Sequence, residues 1–102
     1  MKVSSIKDTP TEEGHAGAVM RQVITPDDGA PNFTMRVFDI KPGMSTPSHS
    51  HNWEHEVLIL SGRARVKGEK GEKEIAKDSV IYIPPNEHHC FENIGDEPLR
   101  FV

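Results

Sequence analysis

An all-β barrel is the fold this sequence predicts. Three observations carry it: short runs rich in Val, Ile and Phe recur along the chain, Gly and Pro cut them at close intervals, and no segment sustains a 3.6-residue apolar period. Residues 1–15 are polar, with one short pairing expected around Val3 to Ile6. Ala18 to Ile24 reads as a strand closed by T-P-D-D-G, where Pro26, Asp28 and Gly29 favour a turn. Phe33 to Ile40 is the next strand, with Phe33, Met35 and Val37 alternating against Thr34, Arg36 and Phe38. Lys41-Pro42-Gly43 turns the chain into a histidine-rich segment. Val57 to Leu60 is apolar on both faces and reads as a covered strand, the outer cover expected from a second subunit. Ala64 and Val66 resume after Ser61-Gly62, Gly68-Glu69-Lys70-Gly71 forms a hairpin turn, and Ile75 to Lys77 returns. Val80 to Ile83 ends at Pro84-Pro85-Asn86, the strand carrying His89, Phe91 and Asn93 follows, and Leu99 to Val102 closes the chain. Eight or more such strands favour closure, because closure removes exposed edges.

The 102 residues suffice for one domain, 1–102, built on one core. Twelve basic against sixteen acidic residues give −4, and no Lys/Arg cluster resembles a nucleic-acid footprint. The single Cys90 excludes a disulfide framework and a thiolate zinc site; it is expected to be a buried small hydrophobe. No apolar run suits a signal sequence or a bilayer span, so a soluble, cytoplasmic protein without membrane or nucleic-acid partners is the expectation.

The chemistry lies in G-M-S-T-P-S-H-S-H-N-W-E-H-E-V-L-I-L-S-G, residues 43–62. His49, His51 and His55 stand at even separations, which places them on one face of an extended segment. His89 arrives later, in P-P-N-E-H-H-C-F-E-N. Imidazoles converging from two segments supply neutral nitrogen donors for a borderline divalent ion. His88 has the opposite parity and is expected at the rim, and His15 at the surface.

These two segments resemble the motifs of the cupin superfamily. Its first motif runs Gly, five residues, His-x-His, three or four residues, Glu, six residues, Gly; Gly43, His49, His51 and Gly62 match it. Its second runs Gly, five residues, Pro-x-Gly, two residues, His, three residues, Asn; Pro84, His89 and Asn93 match, with Asp78 and Asn86 in place of the glycines. Asp and Asn tolerate left-handed backbone better than most residues, so both exchanges are mild. The carboxylate position departs more. Three intervening residues place His55 there, whereas Glu56 fits the longer spacing and becomes the ligand if a bulge reverses the parity.

The string H-x-H-x-W-E-H-E is similar to that of small thermophile-type cupins holding manganese on four histidines. The resemblance implies a double-stranded β-helix, or jelly-roll, barrel with one divalent ion per chain, manganese or iron preferred and zinc or nickel tolerated. It implies a metal-dependent oxidoreductase of dioxygenase type acting on a small organic molecule through two open positions. A non-catalytic small-molecule binding or sensing protein is the alternative, since fold analogy is a weak warrant for function. Met35, Val37, Trp53, Ile83 and Phe91 are the expected pocket lining, and a homodimer the expected assembly.

Overall fold

The computed structural model describes residues 1–15 and 17–102, the side chain of His15 excepted. Nine strands build it: β1 (Glu12–His15), β2 (Ala18–Ile24), β3 (Met35–Ile40), β4 (His55–Ser61), β5 (Arg63–Gly68), β6 (Gly71–Ala76), β7 (Val80–Ile83), β8 (Cys90–Asn93) and β9 (Leu99–Phe101). One sheet has the order β1-β2-β3-β9-β4-β7 and the other β6-β5-β8. Every pairing is antiparallel. The fold is the all-β jelly-roll barrel that the strand pattern predicts.

The second sheet extends beyond its named strands. Residues 43–51 run antiparallel to the segment ending in β8 through Gly43 N–H to Asn93 O, Asn93 N–H to Met44 O, Thr46 N–H to Phe91 O and the reciprocal His49–His89 pair. The Thr46 hydroxyl adds a bond from Phe91 N–H. A stretch with three serines and a proline, poor in strand propensity, is therefore held extended by its neighbour.

Between the sheets lies a core of Ile40, Ile59, Leu99, Ala64, Phe91 and Phe101, each at most 4% exposed. Phe101 stacks on Phe38 at 5.0 Å and meets Phe91 at 4.7 Å. Truncating Leu99 or Ile59 to alanine here would cost about 2–5 kcal/mol. Gly62, at φ +89°, closes the β4–β5 turn; a Cβ there would stand 2.8 Å from Pro98 O. Asp78 and Asn86, the two residues in the second motif's glycine positions, have φ of +74° and +70°, the left-handed backbone those positions require.

Three expectations need correction. Val3 to Ile6 form no strand; Ile6–Asp8 is a 3₁₀ turn, closed by Thr9 N–H on Ile6 O, while Lys2 binds Asp28 and Val23 O. The third strand begins at Met35, which pairs with Ile24 just past a bulge between Gln22 and Ile24. Its faces are also inverted. Phe38 and Ile40 belong to the inner core, while Asp39 on the outer face binds Arg21 and Arg100. Val37 is 2% exposed and shares the parity of Asp39. Both sides of β3 are covered, so apolar alternation alone does not choose its inner face.

Candidate functional site

One end of the barrel opens into a cavity of about 1040 Å³. The four histidines of the two motifs meet in it. His49 and His51 come from the extended segment beside β8, His55 opens β4, and His89 immediately precedes β8. Ring centroids stand 4.5 Å apart for His49–His51, 5.1 Å for His49–His89 and 5.3 Å for both His51–His55 and His55–His89. The even spacing in the sequence thus converts into convergence.

These spacings can be tested against a bound ion. An imidazole nitrogen at ~2.1 Å puts its ring centroid about 3.2 Å from the ion, so two ligating rings lie about 4.5 Å apart at right angles and about 5.2 Å at the tetrahedral angle. The separations of 4.5 and 5.1 Å fall in that range, and the two of 5.3 Å lie just above its upper end. Among the described residues, no group of three or more His, Cys, Asp or Glu side chains already stands in the arrangement of a bound ion, so loading one would require ring rotations.

The nitrogens themselves suit the task. His55 Nε2 is buried without a hydrogen-bond partner, an orphan that a metal would satisfy. His89 Nδ1 lies 2.9 Å from Glu87 O; a carbonyl only accepts, so Nδ1 carries the proton and Nε2 keeps its lone pair. Burial lowers the His55 pKa to about 4, assisted by His89, Arg36, His51 and His49. Burial also lowers His49, with His51 and His89 next, and lowers His51, with Arg36 and His89 next. Three of the rings are therefore held in the neutral, donor form near neutrality.

Glu56, the alternative ligand, stands on the other side of β4. It is exposed and registers with Tyr82, whereas His55 registers with buried Ile83. Local desolvation and neighbouring Glu54 raise its pKa. It borders the cavity mouth without joining the four rings. His88 is exposed, as its parity predicts, and Cys90 is half-buried instead of fully so. His15 was expected at the surface, and its side chain lies outside the described residues.

Of the expected lining residues, Trp53, Ile83 and Phe91 face the cavity, and Met35 and Val37 do not. Arg36 and Phe38 take their place, because the inner parity of β3 is even. Met35 borders an adjoining outer groove with Leu58 and Val80, which shares Phe33, Arg36 and Val57 with the cavity. Trp53 stacks on His51 at 4.5 Å and 11° while remaining 53% exposed, so it roofs the histidines at the mouth. Arg36 is the cationic lining residue that sequence reasoning missed. Its only signal is a cation among apolar neighbours of equal parity, Phe38 and Ile40.

The comparisons with known proteins agree with this architecture. Residues 36–102 match the family described as cupin domain. The polyketide cyclase RemF from Streptomyces resistomycificus is 32% identical and superposes with a TM-score of 0.88, over 99% of this chain and 75% of that one. A predicted oxalate decarboxylase from Thermotoga maritima, 20% identical, shares the fold with a TM-score of 0.87 over 98% and 94% of the two chains. Among curated proteins, mannose-1-phosphate guanylyltransferase RfbM from Salmonella typhimurium is 37% identical over 79 residues, 74% of this chain and 16% of RfbM. The 1-methylthio-D-xylulose 5-phosphate methylsulfurylase of Rhodospirillum rubrum is 31% identical over 93 residues, 89% of this chain and 59% of the enzyme. The chain thus spans less than two thirds of either curated relative. Among the described residues no helix is long and apolar enough to cross a membrane. With both histidine motifs inside the matched region, the chain belongs to the cupin family.

Proposed function

We propose that this cupin is a metal-dependent enzyme acting on a small organic molecule. A divalent ion would be held by His49, His51, His55 and His89, with manganese or iron preferred and zinc or nickel also suited to imidazole. The observation that carries the reading is the convergence of four imidazoles, one with an orphaned Nε2, in a large cavity lined elsewhere by Met20, Phe38, Val57, Phe91 and Phe101. Apolar walls with a few convergent polar groups are the usual character of a small-molecule site. Four neutral ligands would leave the ion's full charge to act as a Lewis acid on an enolisable carbonyl or phenolic oxygen and, with iron or manganese, to bring dioxygen chemistry of the dioxygenase type to it. The chain's own part is to orient that oxygen, to exclude water with its phenylalanines and to keep the imidazoles neutral.

A redox-neutral cyclisation is the second reading, favoured by the 32% identity to a polyketide cyclase over most of both chains. Anaerobic reconstitution with manganese or iron, followed by oxygen-uptake and product analysis against 1,3-dicarbonyl and polyphenolic compounds, separates them. Oxygen consumed in proportion to product supports the dioxygenase reading; product formed without oxygen uptake supports cyclisation. Metal uptake without turnover of any compound would leave a binding protein. The same reading takes the chain as a homodimer.

A further inference from the structure

Among the described residues, Arg36 is the arginine without a carboxylate partner. The other four arginines all have one: Arg21 and Arg100 share Asp39, Arg63 faces Glu74, and Arg65 binds Glu92. Among the described residues no acidic side chain lies within ion-pair distance of Arg36, although Glu54 and Glu56 border the same cavity. Its backbone register with Gln22 and its parity with Phe38 turn it inward, and it lines the cavity where this meets the outer groove. The guanidinium carbon lies 5.5 Å from the centroid of the Phe38 ring. That contact fixes the planar head while leaving its N–H groups free to donate.

An inward cation on a partly buried strand position costs desolvation, and here no protein anion offsets it. A ligand anion would. Carboxylates match the guanidinium fork in a bidentate manner. The surrounding surface, Phe33, Phe38, Trp53 and Phe101, suits an aromatic body better than a sugar. We infer that Arg36 is the specificity-determining clamp of the cavity and that its ligand is an aromatic molecule bearing a carboxylate, held between Arg36 and the four histidines. The inference deepens the function proposed above and rests on the same cavity, but the clamp acts whether or not a metal is bound.

Isothermal titration calorimetry on the chelator-treated full chain tests it, with 2-naphthoate and its neutral counterpart 2-naphthamide as probes. Arg36→Met keeps the length and apolar stem; Arg36→Lys keeps the charge and loses the fork. The expected result is saturable naphthoate binding that weakens at least tenfold in Arg36→Met and by a smaller factor in Arg36→Lys, with naphthamide binding unchanged by either. Melting curves identify a misfolded variant, and Arg36→Lys then carries the comparison. Naphthoate affinity equal in all three proteins, an equal loss for naphthamide, or no saturable naphthoate binding to the unaltered chain would overturn the inference. Metal uptake measured in parallel distinguishes this failure from failure of the metal site: Arg36→Met should load metal as the unaltered chain does.

Discussion

His49 and His89 hold each other across two segments forty residues apart in the chain. The N–H of each donates to the carbonyl of the other, at 3.2 and 3.0 Å, and their rings stand 5.1 Å apart. The pair joins the two histidine motifs through backbone bonds, so ring placement depends on main-chain structure before any ion is present. Such rigid support is what a metal site requires of its scaffold.

Metal binding should follow the four rings and ignore Glu56. We expect one divalent ion per chain, lost in the quadruple His49→Ala, His51→Ala, His55→Ala, His89→Ala protein. His55→Ala alone should weaken binding by about 10-fold or more while leaving three donors, and Glu56→Ala should change it little. Elemental analysis after dialysis gives the stoichiometry. Full metal content in the quadruple variant, or a greater loss from Glu56→Ala than from His55→Ala, would contradict the assignment.

Acid should destabilise the metal-free fold. His55 in the folded chain stays neutral down to about pH 4, whereas its ordinary value is 6.5. Between these limits the unfolded chain binds more protons, so stability falls as pH is lowered from about 6.5 and the loss is complete only near pH 4. His49 and His51 shift in the same direction. Urea unfolding of chelated protein at several pH values from about 7.5 to 4.5 measures the slope, and His55→Gln should flatten it. An unchanged slope in that variant would show that another group controls the acid limb. With metal present the dependence should steepen, since protons then also compete for the ligand nitrogens.

The strands and the histidines were legible in the sequence for one physical reason: both depend on a period of two. Val80 to Ile83 is delimited by Asp78 and Pro84, and the structure places β7 on those residues. Asp78 and Asn86 read as left-handed because few other residues tolerate that backbone, and both adopt it. The inner face of β3 was not legible. Val37 is buried on one side and Phe38 and Ile40 on the other, so hydrophobicity carried no preference. The N-terminal pairing was also illegible, because Val3 and Ile6 lie in a polar stretch whose course depends on tertiary bonds such as Lys2 to Asp28.

Asn93 should matter to folding more than to metal. It is 1% exposed; its Nδ2 donates to Ile40 O and Glu97 O, and its Oδ1 accepts from Gly95 N–H. The side chain ties β8 to the end of β3 and to the turn before β9. Asn93→Ala leaves two carbonyls and one N–H without these partners, and should cost about 3 kcal/mol or more. Chemical denaturation measures the loss. A change under about 0.5 kcal/mol, the range of neutral surface substitutions, would mean that water replaces all three bonds.

The remaining prediction is a homodimer built on the outer side of β4 and β7. Leu58 registers with Val80 and Glu56 with Tyr82, so these four share the face opposite His55 and Ile83. Val80 is 78% exposed, Tyr82 58% and Leu58 38%. They border a groove of about 530 Å³ with Phe33, Met35 and Val102. Strand β7 also ends its sheet, leaving one row of backbone donors and acceptors unpaired. Phe38 and Ile40 point inward, so β4 and β7 supply the apolar patch. A two-fold axis lets one such face cover its copy, and contiguous exposed apolar surface favours that outcome. Sedimentation equilibrium at micromolar concentration should show a species of twice the chain mass. Val80→Glu with Leu58→Glu should shift it to monomer without loss of the metal site, because both residues face away from the four histidines. A monomer that persists in the unaltered chain as concentration rises would rule the dimer out, and a dimer untouched by the two charges would place its interface on another surface.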